Sequence, residues 1–187
     1  MHKVECLNSV HKTKEIMTMK IFKQPLLLTI VVAGLLFTVI FINNSNVQLA
    51  PEISFNDIDG NQHTLSQYTD KPVLMIFWAT DCPGCVEEMP ELNALYQDYA
   101  HQGLAMIGVA MSHDSPEHIN AMRIERKLSY ILTWDKNNEI ATAFSRVRVT
   151  PTHFLIAPNG EIVMRKIGAL NFKQLRSKLD HMGLTPT

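Results

Sequence analysis

The apolar positions of this chain fall into one long unbroken run followed by shorter patterned ones. From Gln24 to Pro51 there is no charged residue, and "PLLLTIVVAGLLFTVIFI" (Pro25 to Ile42) is almost wholly apolar. Eighteen helical residues reach about 27 Å at 1.5 Å each, close to the hydrocarbon thickness of a bilayer. No polar stripe marks any face, as it would on a helix half-buried in a soluble domain. The pattern predicts a transmembrane anchor over 24–43, preceded by a segment over 1–23 and followed by a linker over 44–51. A soluble domain then occupies 52–187. Within it, "ISFNDIDGNQHTL" reads as a hairpin turning at Asp59-Gly60. "PVLMIFW" (Pro72 to Trp78) is a continuous apolar run, the mark of a central strand covered on both faces. Met89, Leu92, Leu95, Tyr96 and Tyr99 then recur at helical spacing, predicting a helix from about Cys85 to Ala100, with Pro90 inside it as a kink. "LAMIGVAM" (Leu104 to Met111) is a second buried strand. Ser115 and Pro116 are a cap and first-turn proline for a helix to about Lys127, and a short helix follows near Glu139 to Phe144. "THFLIA" and "EIVMRKIG" form two strands around Pro158-Asn159-Gly160, and Phe172 to Met182 forms a last amphipathic helix. This order predicts an α/β domain, a mixed sheet with helices on both faces.

Charge adds an orientation. Lys3, Lys12, Lys14, Lys20 and Lys23 precede the apolar run against Glu5 and Glu15, while "NNSNVQLAP" after it has no base. Positive residues stay inside, which predicts a cytoplasmic N-terminus and a domain on the outer face of a bacterial inner membrane. A cleaved signal peptide is the rival, but no small-x-small site follows the run; at "QLA" Gln48 stands where a small residue is wanted. Met17 and Met19 are alternative starts, and either would remove Cys6. The net charge of −1 gives no reason to expect nucleic acid as a partner.

Three cysteines are too few for a disulfide scaffold. Two of them, Cys82 and Cys85 in "FWATDCPGCVEEMP", lie where the buried strand ends and a helix begins. A helix N-terminus offers free N–H groups and partial positive charge, and both favour a thiolate. Pro83 suits the first turn, and Gly84 adds no bulk that would keep a partner from Cys82. The chemistry this predicts is exchange. Cys82 attacks a partner's disulfide, and Cys85 resolves the mixed disulfide that forms. A structural disulfide closing so small a loop would gain little chain entropy. Structural zinc would want four ligands, and no second C-x-x-C or H-x-x-x-H is present. A c-type haem site would need His at position 86, which is Val86. Copper is the rival from another class, with His101, His113, His118 and His153 and ten methionines on hand. Most of the methionines fall on apolar faces or in the anchor, so no metal and no other cofactor is expected.

These residues resemble a known family. "FWATDCPGCVEEMPEL" is similar to the active-site stretch of thioredoxin-fold proteins, in particular the membrane-anchored TlpA/ResA/CcmG group of extracytoplasmic thiol–disulfide oxidoreductases. "VTPTHFLIAPNGEIV" resembles the segment carrying that family's cis-proline, and Ser112 to Trp134 resembles its helical insertion. The resemblance implies a thioredoxin-like fold, with Cys82 exposed and attacking and Cys85 buried and resolving. It implies that Thr150 and Pro151, with Trp78, line the groove for the partner's chain. It also implies that Glu88, three residues after Cys85 and so on the same helix face, lies beneath the disulfide and shuttles the proton of Cys85. The adjacent Glu87 fits a solvated acid better. Plain thioredoxins carry a buried Asp six residues before the first cysteine, where this chain has Ile76. Asp81 departs from the group, many members of which have Trp before the first cysteine; its charge opposes the thiolate and offsets the helix dipole. The expectation is a disulfide reductase that takes electrons from a membrane thiol donor and passes them to oxidised proteins, apocytochrome c among them. A disulfide-forming oxidase is the alternative within the same chemistry. A peroxiredoxin fits less well, because its reactive cysteine normally lacks a partner two residues on.

Overall fold

A computed structural model describes residues 29–38, 47–68 and 70–186. The chain divides into two units, Met1–Asn46 and Val47–Thr187. In the first, the described residues 29–38 form a helix (α1) whose side chains are all exposed, among them Ile30, Leu35, Leu36 and Phe37. The remainder of the span expected over 24–43, and the segment over 1–23, lie outside the described residues. Among the described residues no helix is long and apolar enough to cross a membrane.

The second unit begins at Val47, inside the stretch expected as linker. Gln48 and Ala50 are hydrogen-bonded into the domain: the Ile162 N–H donates to the Gln48 carbonyl, and the Ala50 N–H to that of Gly160. The hairpin follows as β1 (Ser54–Asn56) and β2 (Gln62–Thr64). It forms a small sheet of its own, joined to the main one where Asp57 bridges to Thr133. The main sheet holds β3 (Val73–Trp78), β4 (Ala105–Ala110), β5 (Ile131–Trp134), β6 (Thr152–Ile156) and β7 (Ile162–Ile167) in the order β5-β4-β3-β6-β7. β3, β4 and β5 run parallel, while β6 and β7 are antiparallel additions. The helices are α2 (Pro83–Tyr99), α3 (Pro116–Arg126), α4 (Glu139–Ala143) and α5 (Phe172–His181).

β3 is at the centre because every one of its six side chains is buried. Period-two alternation sends Leu74, Ile76 and Trp78 to one core layer, with Met89, Leu92 and Leu95 of α2, Ile119 of α3 and Leu175 and Leu179 of α5. It sends Val73, Met75 and Phe77 to the other, with Phe55 of the hairpin, Ile140 of α4, Phe144 and Phe154. Phe77, Phe144 and Phe154 meet there in edge and tilted contacts 5.0 to 5.8 Å between centroids. α2 starts two residues earlier than its apolar periodicity suggests, because Cys82 caps it and Pro83 opens it. It continues through Pro90, which removes one helical hydrogen bond. Ser115 caps α3 by accepting the His118 N–H, and Lys127 ends that helix in a left-handed conformation.

Candidate redox site

The end of β3 delivers the chain into a short turn at Ala79–Asp81, and α2 begins at once. Two ties hold this turn. The Met111 N–H donates to the Trp78 carbonyl. The buried Asp114 carboxylate accepts the Thr80 N–H at 2.7 Å, the Thr80 hydroxyl at 2.9 Å and the Ser115 N–H at 2.9 Å. One carboxylate thus fastens the approach to Cys82 to the loop after β4. Sequence reasoning missed Asp114. Its one signal was its place just before the Ser115 cap.

Cys82 and Cys85 are joined by a disulfide, with Cα atoms 5.3 Å apart. Cys82 is half-buried and is the N-cap of α2, its sulfur accepting the Cys85 N–H at 3.3 Å; Cys85 is buried. Pro83 and Gly84, both exposed, form the first turn between them. The Thr150–Pro151 peptide bond is cis. A β-carbon placed on Gly84 would lie 3.7 Å from Pro151 Cδ, so the proline ring faces the Cys-Pro-Gly-Cys turn at van der Waals distance. Thr150 is half-buried, and Val149 before it is 56% exposed. Trp78 takes a different place from the one expected for it. It is 3% exposed, within the layer that contains Cys85, and its indole nitrogen has no hydrogen-bond partner. It has almost no surface to offer a substrate, and it packs against the back of the site.

Asp81 points outward. Its side chain is 75% exposed and its Oδ1 lies 3.3 Å from His113 Nε2, an exposed pair beside the disulfide. Glu87 is exposed, as expected of a solvated acid. Glu88 is buried: its Oε1 accepts the Leu170 N–H at 2.5 Å, and its Oε2 lies 3.0 Å from Nε2 of His153. That approach is close enough for an ion pair, yet it is off the line of a hydrogen bond. Glu88 Oε2 and both ring nitrogens of His153 are therefore left without a hydrogen-bond partner. Tyr130 also belongs to this layer. Burial first, and the Glu88 charge second, push its hydroxyl well above the usual tyrosine range, so it stays neutral. Among the described residues, no three His, Cys, Asp or Glu side chains converge as a metal site.

The arrangement is a half-buried sulfur at a helix N-terminus, a second sulfur behind it, and a buried carboxylate one helical turn further on. It can pass a disulfide to or from an approaching chain and has an acceptor for a proton within its own core. The AhpC/TSA family model matches residues 47–165. A ResA thiol–disulfide oxidoreductase of Geobacillus kaustophilus is 32% identical over 132 residues, covering 70% of this chain and 74% of that protein. Another ResA, of Oceanobacillus iheyensis, is 29% identical over 184 residues and covers 92% of this chain and 94% of its own. Among solved structures, a thioredoxin-like protein of Neisseria meningitidis superposes with a TM-score of 0.68 at 28% identity, over 74% of this chain and 91% of that one. A thioredoxin-family thiol:disulfide interchange protein of Chlorobium tepidum superposes with the same TM-score at 19% identity, over 74% and 98%, a likeness of fold alone.

Proposed function

This chain belongs to the AhpC/TSA family, and from that premise we propose that it is a membrane-anchored thiol–disulfide oxidoreductase of the ResA type, acting as a disulfide reductase outside the cytoplasm. The observation that carries the reading is the Cys82–Cys85 pair itself: a half-buried sulfur capping α2, a buried sulfur behind it, and the cis-Pro151 ring across Gly84. In the reduced protein the Cys82 thiolate attacks a partner's disulfide, and one partner sulfur leaves. The partner's chain lies over Thr150 and Pro151, where Val149 leaves apolar surface beside the groove. Cys85 then loses its proton to Glu88 and attacks Cys82, releasing the partner as a dithiol. A membrane thiol donor reverses the sequence and restores the reduced state.

The location rests on sequence and on α1. Six large apolar side chains of α1, Ile30, Val31, Val32, Leu35, Leu36 and Phe37, are exposed and suit lipid rather than water, and the lysines ahead of them set the orientation. On the outer side, a dithiol must be kept reduced against an oxidising environment, which is what a dedicated donor supplies. Oxidised proteins are the substrate class, and apocytochrome c with its paired haem-binding thiols is one member.

The test is the reduction potential of the Cys82–Cys85 couple, measured by equilibration with glutathione. A reductase is expected near thioredoxin's value, about −270 mV. A value near about −120 mV would mean a strongly stabilised thiolate and would make the protein a disulfide-forming oxidase instead.

A further inference from the structure

The Glu88–His153 contact has a property the exchange chemistry alone does not require. His153 is on β6, 0% exposed, opposite Ile76 of β3 and opposite Lys166 of β7. Buried polar groups are nearly always paired, yet both of its ring nitrogens lack a hydrogen bond. Its neighbour Glu88 has one oxygen committed to the Leu170 N–H and the other, equally unpaired, 3.0 Å from the imidazole. An unpaired carboxylate oxygen and an unpaired imidazole therefore face each other one helical turn from Cys85. A purely packing role would be better met by an apolar side chain, as at Leu155 two residues on.

We propose that His153 is the positioning partner of Glu88, and that the two side chains together take up the proton Cys85 releases when it resolves the mixed disulfide. This rests on the reading of Glu88 as the acceptor for Cys85. In the resolving step the Cys85 S–H bond breaks and its proton goes to the pair. The Cys85 thiolate attacks Cys82, the Cys82–Cys85 bond forms and the Cys82–partner bond breaks. The partner's sulfur leaves as a thiolate and takes a proton from solvent. Two electrons have then passed from the dithiol to the partner's disulfide. With its Nε2 3.0 Å from Glu88 Oε2, the imidazole holds the carboxylate in place and gives the released proton a second acceptor beside it. Titratable or charged groups on the surrounding elements include Cys85 on α2, Tyr130 ahead of β5, Lys166 opposite on β7, Lys178 on α5, which lines a surface groove with Arg165 and Lys166, and the Asp98–Arg176 ion pair between α2 and α5. Tyr130 stays neutral, and Lys166 is exposed to solvent.

The test is the pH profile of mixed-disulfide resolution in the full chain in detergent. His153→Gln keeps a polar side chain but cannot take up a proton. It is expected to move the acid limb of the profile up by about one unit or more, with rates converging at high pH where Cys85 ionises unaided. Glu88→Gln is expected to abolish that limb, and the double variant to match Glu88→Gln. If Glu88→Gln leaves the profile unchanged, the reading of Glu88 fails and His153 with it. If Glu88→Gln changes it and His153→Gln does not, or the two effects add, the proposal for His153 alone is overturned. Should His153→Gln not fold, imidazole nitrogen resonances of the wild-type protein decide. They are expected to titrate differently in the oxidised and reduced states, and identical titration would overturn the proposal.

Discussion

Asp57 concentrates four polar contacts on one carboxylate at the hairpin turn. It accepts the N–H groups of Asp59 and Asn61 and the Asn61 side-chain amide, and it lies 3.0 Å from His63 Nε2, whose Nδ1 is 2.9 Å from the Tyr68 hydroxyl. Burial would push Asp57 up, but the hydrogen bonds from His63, Asn61 and Asp59 together outweigh it and hold the carboxyl at about 2. A depressed folded-state value means stability that is complete above about pH 4 and is lost as the pH falls through about 2. The loss is about 2 kcal/mol at most, less whatever solvent screens. Asp57→Asn is expected to flatten the acid limb of the urea midpoint in that window, and an unchanged limb would show that other carboxylates set it. The residues of the redox site divide on legibility in the same terms. Cys82 and Cys85 were legible because their chemistry is written in their spacing and in the strand-to-helix junction around them. Glu88 was legible as a position on a helix face, which geometry fixes. Asp114 and His153 act through contacts from loops and strands distant in sequence, and no local pattern records such a contact. His153 did carry one signal: an imidazole inside "THFLIA", a strand apolar enough to be central, has to be buried beside something polar.

At the scale of elements, hydrophobic period resolved the long segments and left the short ones. β3, β4, α2, α3 and α5 stand where the apolar runs put them, shifted by a residue or two by caps. β5 was not legible. It has four residues, with Ile131 and Trp134 half-buried at the edge of the sheet, too short to establish a period. β5 nevertheless decides how tightly the site's back wall is packed, through Gly108 on β4. A β-carbon there would come within 2.7 Å of Leu132 Cδ2, 3.1 Å of Trp78 Nε1 and 3.2 Å of Tyr130 Cε2. Leu132 could turn away alone, but the two rings close the space on the other sides and are themselves locked in the layer that holds Cys85. Gly108→Ala is therefore expected to destabilise the domain by about 1–3 kcal/mol, despite alanine's better fit to a strand, because overpacking displaces Trp78 or Tyr130. Chemical denaturation checks the sign. A neutral or stabilising result would mean that β5 moves outward freely and is not a fixed wall.

For the whole molecule the question is how a redox domain and an apolar helix divide the work. The domain is a thioredoxin-type fold described from Val47 onward, with two core layers built from its own residues. The described residues 29–38 of α1 present exposed apolar side chains, which favour an apolar phase over water. Under the anchoring proposed above, lipid is that phase for the apolar run. Five lysines on one side of it and no base between Gln24 and Pro51 then set which way the chain points. Full-length protein is expected to stay with membranes through an alkaline wash, and deletion of residues 24–43 to release it. Orientation is read separately, from the thiols. In cells whose outer layers are permeabilised, a membrane-impermeant maleimide applied after mild reduction is expected to label Cys82 and to leave Cys6, on the lysine-rich side, untouched until the inner membrane is opened. Labelling of Cys6 with Cys82 protected would invert the topology. It would also place the dithiol in a reducing compartment, where the case for a dedicated membrane donor falls away.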